Sequence, residues 1–587
     1  MTIDSSAVAR VVGIEANYKD LRSGSSLFLP MRIAVFAQGA SASSYPTTKF
    51  QAESAAQVGA VMGYGSPAHL IARQLLPQNG DGVGTIPVTI YPLTDDGSGV
   101  ASSGDITPSG TQTKAAAYKL RIGGVESNEF VVPKGAIDVT YVCAEMGKAV
   151  LAVLHMPVTV VYSYGTIVAT PDGSNTGDGT LGSLSATGSP TPGDYTLVCN
   201  TAAVDGGTFT LTDPDGTIIS TSIDVSGAPQ TAAGIQFTLS DGSADYIVGD
   251  SFTLTVPATD VAFPSKWKGT SANGIGIEVL GDTTLGTTFA ITQPTGGLVN
   301  PSVNAAIAQV GQVWETFGLN ALDGADTTAL DAFQAWGDAR YTQNKPRPIV
   351  VFRGNNDASK ATATVITAAR TDDKVNAQLT GPGSPNLPCV IAARELAKIA
   401  RIANNNPARD YGSQRATGLI PGTDAEQWDY TVRDQAVKAG SSTVEVRDGV
   451  VTISDVVTHY APAGEPIPAY RFVVAIVKLM NVMFNIEATF AVPKWDGAPL
   501  IPNNQATTNP DAKKPNMAIT AINNVIDGLA LDAIISNPKA AKAATTADID
   551  SQNNNRLNVS TTVQLSGNTN QIPINLNFGF YFGGAAA

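Results

Sequence analysis

The residues able to do covalent or metal chemistry in this chain are few and poorly spaced for it. His69, His155 and His459 are isolated; none forms H-E-x-x-H or stands at a ligand spacing from a carboxylate. Cys143, Cys199 and Cys389 lie far apart, form no C-x-x-C pair and are odd in number. That argues against a zinc site and against a disulfide framework, and fits reduced thiols. A phosphate-cradling loop needs G-x-x-x-x-G-K-[ST], but Val142 stands at the first glycine position before Gly147-Lys148 and Ala149 at the hydroxyl position. Gly82-Val83-Gly84 and Gly274-Ile275-Gly276 open a dinucleotide fingerprint, yet Pro87 and Val279 occupy the third glycine position. The nearest approach to a nucleophile elbow, Gly269-Thr270-Ser271-Ala272-Asn273, ends in Asn. Asp213-Pro214-Asp215-Gly216 and Asp95-Asp96-Gly97 lack the further carboxylates of a calcium loop and read as tight turns. Asp372-Asp373-Lys374 reads as solvated surface. No catalytic, cofactor-binding or metal residue is assigned, no cofactor is expected, and the chain reads as a protein that is not an enzyme.

The scaffold must therefore carry the function. With 587 residues, 43% of them hydrophobic, the chain exceeds what one core can hold and should form roughly three or four domains. A formal charge of -14 makes the average surface repel phosphate, so nucleic acid is not an expected partner. The opening Met-Thr-Ile-Asp-Ser-Ser has neither the basic nor the apolar region of a signal peptide. The apolar stretches Ala149–Val161 and Phe472–Phe484 are short and interrupted, the first by His155 and Pro157, the second by Lys478 and Asn481. No membrane insertion is expected from them.

Hydrophobic periodicity predicts an α/β (α+β) multidomain fold: a discontinuous α/β core with nested insertions, one an all-β sandwich, and strand-like N- and C-terminal arms. Residues 1–26 are an arm (a strand over Val8–Tyr18) and linker. Residues 27–110 begin the core, with a strand at Ile33–Phe36, helices at Gln51–Met62 and Pro67–Leu76, and a strand at Ile86–Tyr91. Residues 111–169 and 258–290 form a small α+β domain with a hairpin turning at Gly123-Gly124, a helix over Asp138–Leu154 and a strand at Pro157–Tyr162. Residues 170–257 alternate in short strands between Pro-Asp-Gly and Asp-Gly turns and contain almost no Lys or Arg, as expected of an outward-facing β-sandwich. The core resumes over 291–385 with helices at Pro301–Phe317 and Thr327–Tyr341 and a strand at Ile349–Phe352. Residues 386–565 form a C-terminal domain with helices at Cys389–Ala403, Ala469–Phe484 and Met517–Ile535, and a strand over Arg556–Leu565. Residues 566–587 are an arm in which Ile572, Ile574, Leu576, Phe578, Phe580 and Phe582 take every second position.

The order of several short segments resembles the tail sheath family of contractile phages, in its Mu-like branch. The residues concerned are Arg10–Tyr18 leading to Met31–Gly39; Tyr118–Gly124 with Pro157-Val158-Thr159; Lys266–Gly269 through Asn273–Val279, with a departure between Gly269 and Asn273; Asn406–Arg409; Thr417–Pro421; Gly449–Ile453; Val457–Tyr460; and Asn553–Val559 with Arg556. The sandwich lies outside the shared core and resembles the Ig-like modules that ornament phage surface proteins.

The resemblance implies a homo-oligomer of hexameric rings stacked as a helix around a tail tube protein, bounded by baseplate and tail terminator proteins. It implies assembly in the host cytoplasm, residence in the virion, and contraction that drives the tube through the host envelope. Alternating strands near both chain ends would leave unpaired edges unless a neighbour covers them. The arms, at Val8, Val11, Val12 and Ile14 and at Ile572–Phe582, are thus expected to add strands to adjacent subunits, with Lys19–Ser26 and Ser566–Asn570 as hinges. Lys513, Lys514, Lys539 and Lys542 are candidates to face the tube. The alternative is a β-rich phage surface or adhesin protein whose 170–257 module binds a receptor or glycan.

Overall fold

The computed structural model describes residues 26–322, 324–342, 346–464 and 469–569. Two compact units result: a larger one of Met31–Arg401 with Gly412–Arg471, and a smaller one built from the segment ending at Pro30, Ile402–Tyr411 and the chain from Phe472 onward. The fold is mixed α/β and multidomain.

The larger unit is organised by a six-stranded sheet in the order Phe50–Ala52, Val88–Leu93, Ile33–Gln38, Phe317–Asn320, Val350–Asn355, Asn376–Thr380. All neighbours are parallel except the antiparallel edge Phe50–Ala52. Val35 lies between Ile90 and Leu319, and every residue of Ile33–Gln38 and Val88–Leu93 is buried, which is why these strands read as apolar runs with little alternation. The sheet is discontinuous in sequence: its third and fourth strands are separated by all of residues 39–316, within which the insertions sit.

Serines and aspartates set the helix starts. Ser54 caps Ala55–Met62, Ser66 caps Pro67–Leu75 and Asp326 caps Thr327–Asp338, each side chain accepting from a first-turn N–H. The first of these begins later than expected because Phe50–Ala52 is drawn into the sheet edge. The expected helix over Pro301–Phe317 shrinks to Asn304–Ala308. Gly311 adopts φ +59°, ending the helical path, and the sheet claims Phe317 as a fully buried strand residue.

The first insertion forms a sheet ordered Thr287–Thr295, Ala101–Gln112, Ala258–Lys268, Val161–Tyr164, with helix Val139–Leu151 capped by Asp138. Ala101–Gln112 runs across residue 110 and pairs on both sides within this sheet. The hairpin of Ala116–Ile122 and Val125–Glu126 turns through Gly123 (φ +57°) and Gly124 (φ +80°), the pair of positive angles a tight two-residue turn demands.

Within this insertion sits a sandwich of a five-stranded sheet (Val168–Pro171, Ser251–Val256, Gly193–Ala203, Gly206–Thr212, Ile218–Asp224) and a three-stranded one (Thr180–Ala186, Ile235–Ser240, Pro229–Ala232). Both contribute to one core that includes Leu197, Phe209, Leu211, Phe237, Leu239 and Leu254. Its first and last strands pair, Val168 opposite Thr255, so the module enters and leaves the chain at one place.

The smaller unit packs helices Val473–Phe490 and Pro515–Leu531 around Val482, Ile522, Ile526, Leu529 and Ile534. Two short antiparallel pairings complete it: Thr546–Ile549 with Leu557–Ser560, and Ile535–Ser536 with Gln564–Leu565. Arg556–Leu565 is thus two strands, although Leu557, Val559, Thr561, Val563 and Leu565 all keep a half-buried face while Arg556, Asn558, Ser560, Thr562 and Gln564 are exposed.

Candidate functional site: the anchor of the chain ends

The residues first considered for chemistry are committed elsewhere. His69, His155 and His459 are each lowered to about 4, first by burial; nearby Arg73 adds to this at His69 and His155, while Asp373 opposes it at His459. His69 Nδ1 accepts from the Gly65 N–H at 3.0 Å. All three cysteines are buried and free, and burial pushes Cys143 and Cys389 up to about 12, far from a reactive thiolate. Ser271 Oγ accepts the Trp267 indole N–H at 3.2 Å, and Asp213 Oδ1 closes its own turn by accepting from Asp215 and Thr217 N–H groups at 3.0 and 2.7 Å.

Asp373 departs from the expectation of a solvated residue. It is fully buried, accepting from the backbone N–H groups of Val375 (3.0 Å) and Asn376 (2.9 Å) and from Arg370 Nε (3.0 Å). Burial works against its charge, but the His459 contact and the Asn376 donors hold it at about 2. It ties a helix end to the strand Asn376–Thr380. Three carboxylates of the sandwich, Asp205, Asp241 and Asp245, lie within 4.8 Å of one another.

The most distinctive polar arrangement lies on helix Val473–Phe490. By length and a mean hydropathy of 1.5 this helix could cross a membrane, which the shorter sequence stretch did not suggest. Yet Lys478, Asn481 and Asn485, spaced three and four apart on one face, are buried in protein and hydrogen-bonded. Asn485 binds Leu27 in both directions, its Oδ1 accepting from Leu27 N (2.8 Å) and its Nδ2 donating to Leu27 O (2.7 Å). Asn481 Oδ1 accepts from Leu29 N at 2.8 Å, and Asp532 Oδ2 accepts from Ser26 N (2.9 Å) and Ser26 Oγ (2.5 Å). The two amides thus receive an extended segment as a strand edge would.

The other end of the chain reaches the same helix. Lys478 Nζ donates to Ser566 O and to Asn568 Oδ1, both at 2.7 Å. Asn568 Nδ2 donates to Ala408 O at 2.9 Å, and Ser566 N to Ile534 O at 3.1 Å. Burial lowers the Lys478 ammonium, opposed by the Asp410 charge. The described ends of the two expected hinges, Ser26 and Ser566–Asn568, are therefore tied down by specific hydrogen bonds. The arm residues themselves, Val8, Val11, Val12 and Ile14 and Ile572, Ile574, Leu576, Phe578, Phe580 and Phe582, lie outside the described residues.

The C-terminal turns of this helix also line a groove of about 1240 Å³ with Ile486, Phe490, Trp495, Leu557 and Val559 among its walls. Trp495 packs edge-on against Phe490 at 5.1 Å, and its buried indole Nε1 has no hydrogen-bond partner among the described residues. Strand Leu557–Ser560 pairs on one side with Thr546–Ile549, and among the described residues nothing pairs with its other edge. Leu557 and Val559 present one face to the groove.

The four lysines considered for a partner surface are not gathered into one patch. Lys513 lines the groove and donates to Asp511 O at 2.7 Å, and Lys514 directly precedes the helix Pro515–Leu531. Lys539 is exposed on the short helix Pro538–Ala543, and Lys542 pairs with Asp527 at 2.5 Å. At 1.5 Å per residue Asp527 stands roughly 18 Å along its helix from Pro515. The two pairs of lysines therefore sit toward opposite ends of that helix. The lysine and asparagines of the anchor were visible in the sequence only as interruptions of an apolar run; their i, i+3, i+7 spacing was the available signal.

No protein-family model and no curated protein matches the chain. Among solved structures it is similar to a sheath tail protein from Listeria innocua, at 10% identity and a TM-score of 0.41, covering 93% of this chain and 95% of that one. A sheath tail protein from Desulfitobacterium hafniense is similar at 12% identity and a TM-score of 0.39, covering 94% and 100%. FlgL from Xanthomonas campestris aligns over 18% of this chain and 32% of its own, at 25% identity and a TM-score of 0.14. These TM-scores are too low to define a family or a function for the chain.

Proposed function

We propose that this protein is a structural subunit of a contractile tail sheath, polymerising as stacked hexameric rings around a tail tube and contracting to drive the tube through the host envelope. The observation that carries the reading is the joint placement of the chain-end anchors and an open-edged groove on one helix, Val473–Phe490. Such an anchor fixes the points at which the two ends join the body. A groove bordered by a strand with one open edge and by Trp495 offers a second copy's arm both ladder hydrogen bonds and an apolar floor. Because the donating arm and the accepting edge are different surfaces, the contact is heterologous and propagates into rings and helices. The order of sheath-like sequence segments supports the same reading.

In this reading no catalytic step is needed, since contraction draws on the difference between two packings established at assembly. The sandwich at 168–256 is an outward, Ig-like addition, and Lys513, Lys514, Lys539 and Lys542 are the candidates to meet the tube. Deleting the residues after Gln571 tests the proposal by electron microscopy: the full chain is expected to form long tubules and the truncated chain discrete particles. Long tubules from the truncated chain would sink strand exchange, and discrete trimers or monomers from the full chain would favour an adhesin-like protein instead.

A further inference from the structure

The two chain ends are held by neighbouring groups, and this adjacency carries a consequence that does not depend on the sheath reading. Toward the N-terminus, Ser26, Leu27 and Leu29 are bound by Asp532, Asn485 and Asn481. Toward the C-terminus, Ser566 and Asn568 are bound by Lys478, and Ser566 also by the carbonyls of Ala533 and Ile534, its hydroxyl meeting Ala533 O and its N–H meeting Ile534 O. Each end thus uses the same two elements: one face of helix Val473–Phe490 and the turn Asp532-Ala533-Ile534. In that turn, Asp532 holds one end by its side chain while the next two residues hold the other by their backbone. Ala533 adopts φ +56°, a left-handed conformation that costs a residue with a Cβ and is kept where surrounding contacts demand it.

We propose that Lys478, Asn481, Asn485 and the turn 532–534 form a double latch, so that freeing either chain end loosens the hold on the other. Withdrawal of Ser566–Asn568 removes both acceptors of a buried ammonium, which is 1% exposed in residue terms. The helix turn carrying Lys478 then has to shift to find water, and Asn481 and Asn485 move with it. Withdrawal of Ser26–Leu29 strips Asp532 of both its Ser26 donors and leaves Oδ1 of Asn481 and of Asn485 without the N–H groups of Leu29 and Leu27, while their Nδ2 groups keep the helix carbonyls of Val477 and Asn481. Relaxation of the left-handed turn then displaces the carbonyls that hold Ser566.

Amide hydrogen exchange on the full chain, held unassembled by dilution, reads this directly. In Asn568→Ala, peptides covering Leu27 and Leu29 are expected to exchange roughly tenfold faster, the effect of losing about one net hydrogen bond. In Ser26→Ala, which removes a single hydroxyl, peptides covering Leu565–Asn568 are expected to speed up in turn. Strand Ile33–Gln38 is the internal reference and should stay unchanged. If each variant accelerates exchange only at its own end, the ends are independent and the latch is wrong. Uniform loss of protection across Val473–Phe490 and Pro515–Leu531 in both variants overturns it as well, because the contacts then serve only the stability of the unit. Either failure leaves the tubule test of the sheath reading untouched.

Discussion

The sandwich at Val168–Val256 and the anchor helix Val473–Phe490 treat polar groups in opposite ways. The sandwich contains no Lys or Arg and fills its core with alternating apolar residues; Asp250, 3% exposed, is its most buried charged residue among those described. That carboxylate is satisfied close by, accepting from the N–H groups of Thr176, Gly177 and Ile247 at 2.9, 2.9 and 3.0 Å. The anchor helix is apolar in composition yet buries Lys478, Asn481 and Asn485, whose partners arrive from both ends of the chain, Leu27 from 458 residues away. A region that solves its polar problems locally can be inserted or removed as a module. A region that solves them with distant segments ties the chain ends to the body, and its polar residues mark where those segments dock.

The sharpest way to break this contrast is at the sandwich core. Phe237→Ala, at a side chain with no exposure, is expected to cost about 3–5 kcal/mol, seen as a lowered thermal transition for the module by calorimetry. Exchange at Leu27 and Leu29 should not move; if it does, the sandwich is not a separable module.

Asp250→Asn should cost about 1.5–3 kcal/mol, since an amide cannot accept all three N–H groups. Burial raises the Asp250 carboxyl, but the three backbone donors together hold it below its ordinary 3.8. Its stabilisation is therefore complete above pH 3.8 and lost as pH falls through the lower folded value. Denaturant midpoints of the wild type and variant should converge in strong acid.

At the anchor, Asn485→Leu keeps the volume but leaves the Leu27 N–H and carbonyl unpaired, an expected loss of about 1–3 kcal/mol. Proteolysis near residue 27 should become faster while the sandwich transition stays in place. The smallest effect belongs to Lys542→Ala. Its ion pair with Asp527 joins side chains 34% and 53% exposed, and about 0–1 kcal/mol is expected, diminishing further in salt.

Much of the scaffold was readable because its signals are local. The buried run at Ile33–Phe36, the alternation of Thr208–Thr212, Ile235–Leu239 and Phe252–Val256, and the Gly123-Gly124 turn each carry their conformation in adjacent residues. The expected helix at Pro301–Phe317 failed where a local pattern met a stronger distant demand: Phe317 pairs with Ile33 and Val350 in the central sheet. Asp373 was misread for the same reason, since its donors come from the turn it closes and from a strand buried by tertiary packing.

By itself, the sequence determined which segments could be strands or helices, that charge and spacing offered no recognisable catalytic site, and that one module could be all β, because periodicity and turn chemistry act over a few residues. Only the tertiary structure decided that Lys478, Asn481 and Asn485 hold Leu27, Leu29, Ser566 and Asn568. A buried polar group is acceptable only when its partner is present, and here that partner is supplied by parts of the chain that no short window contains.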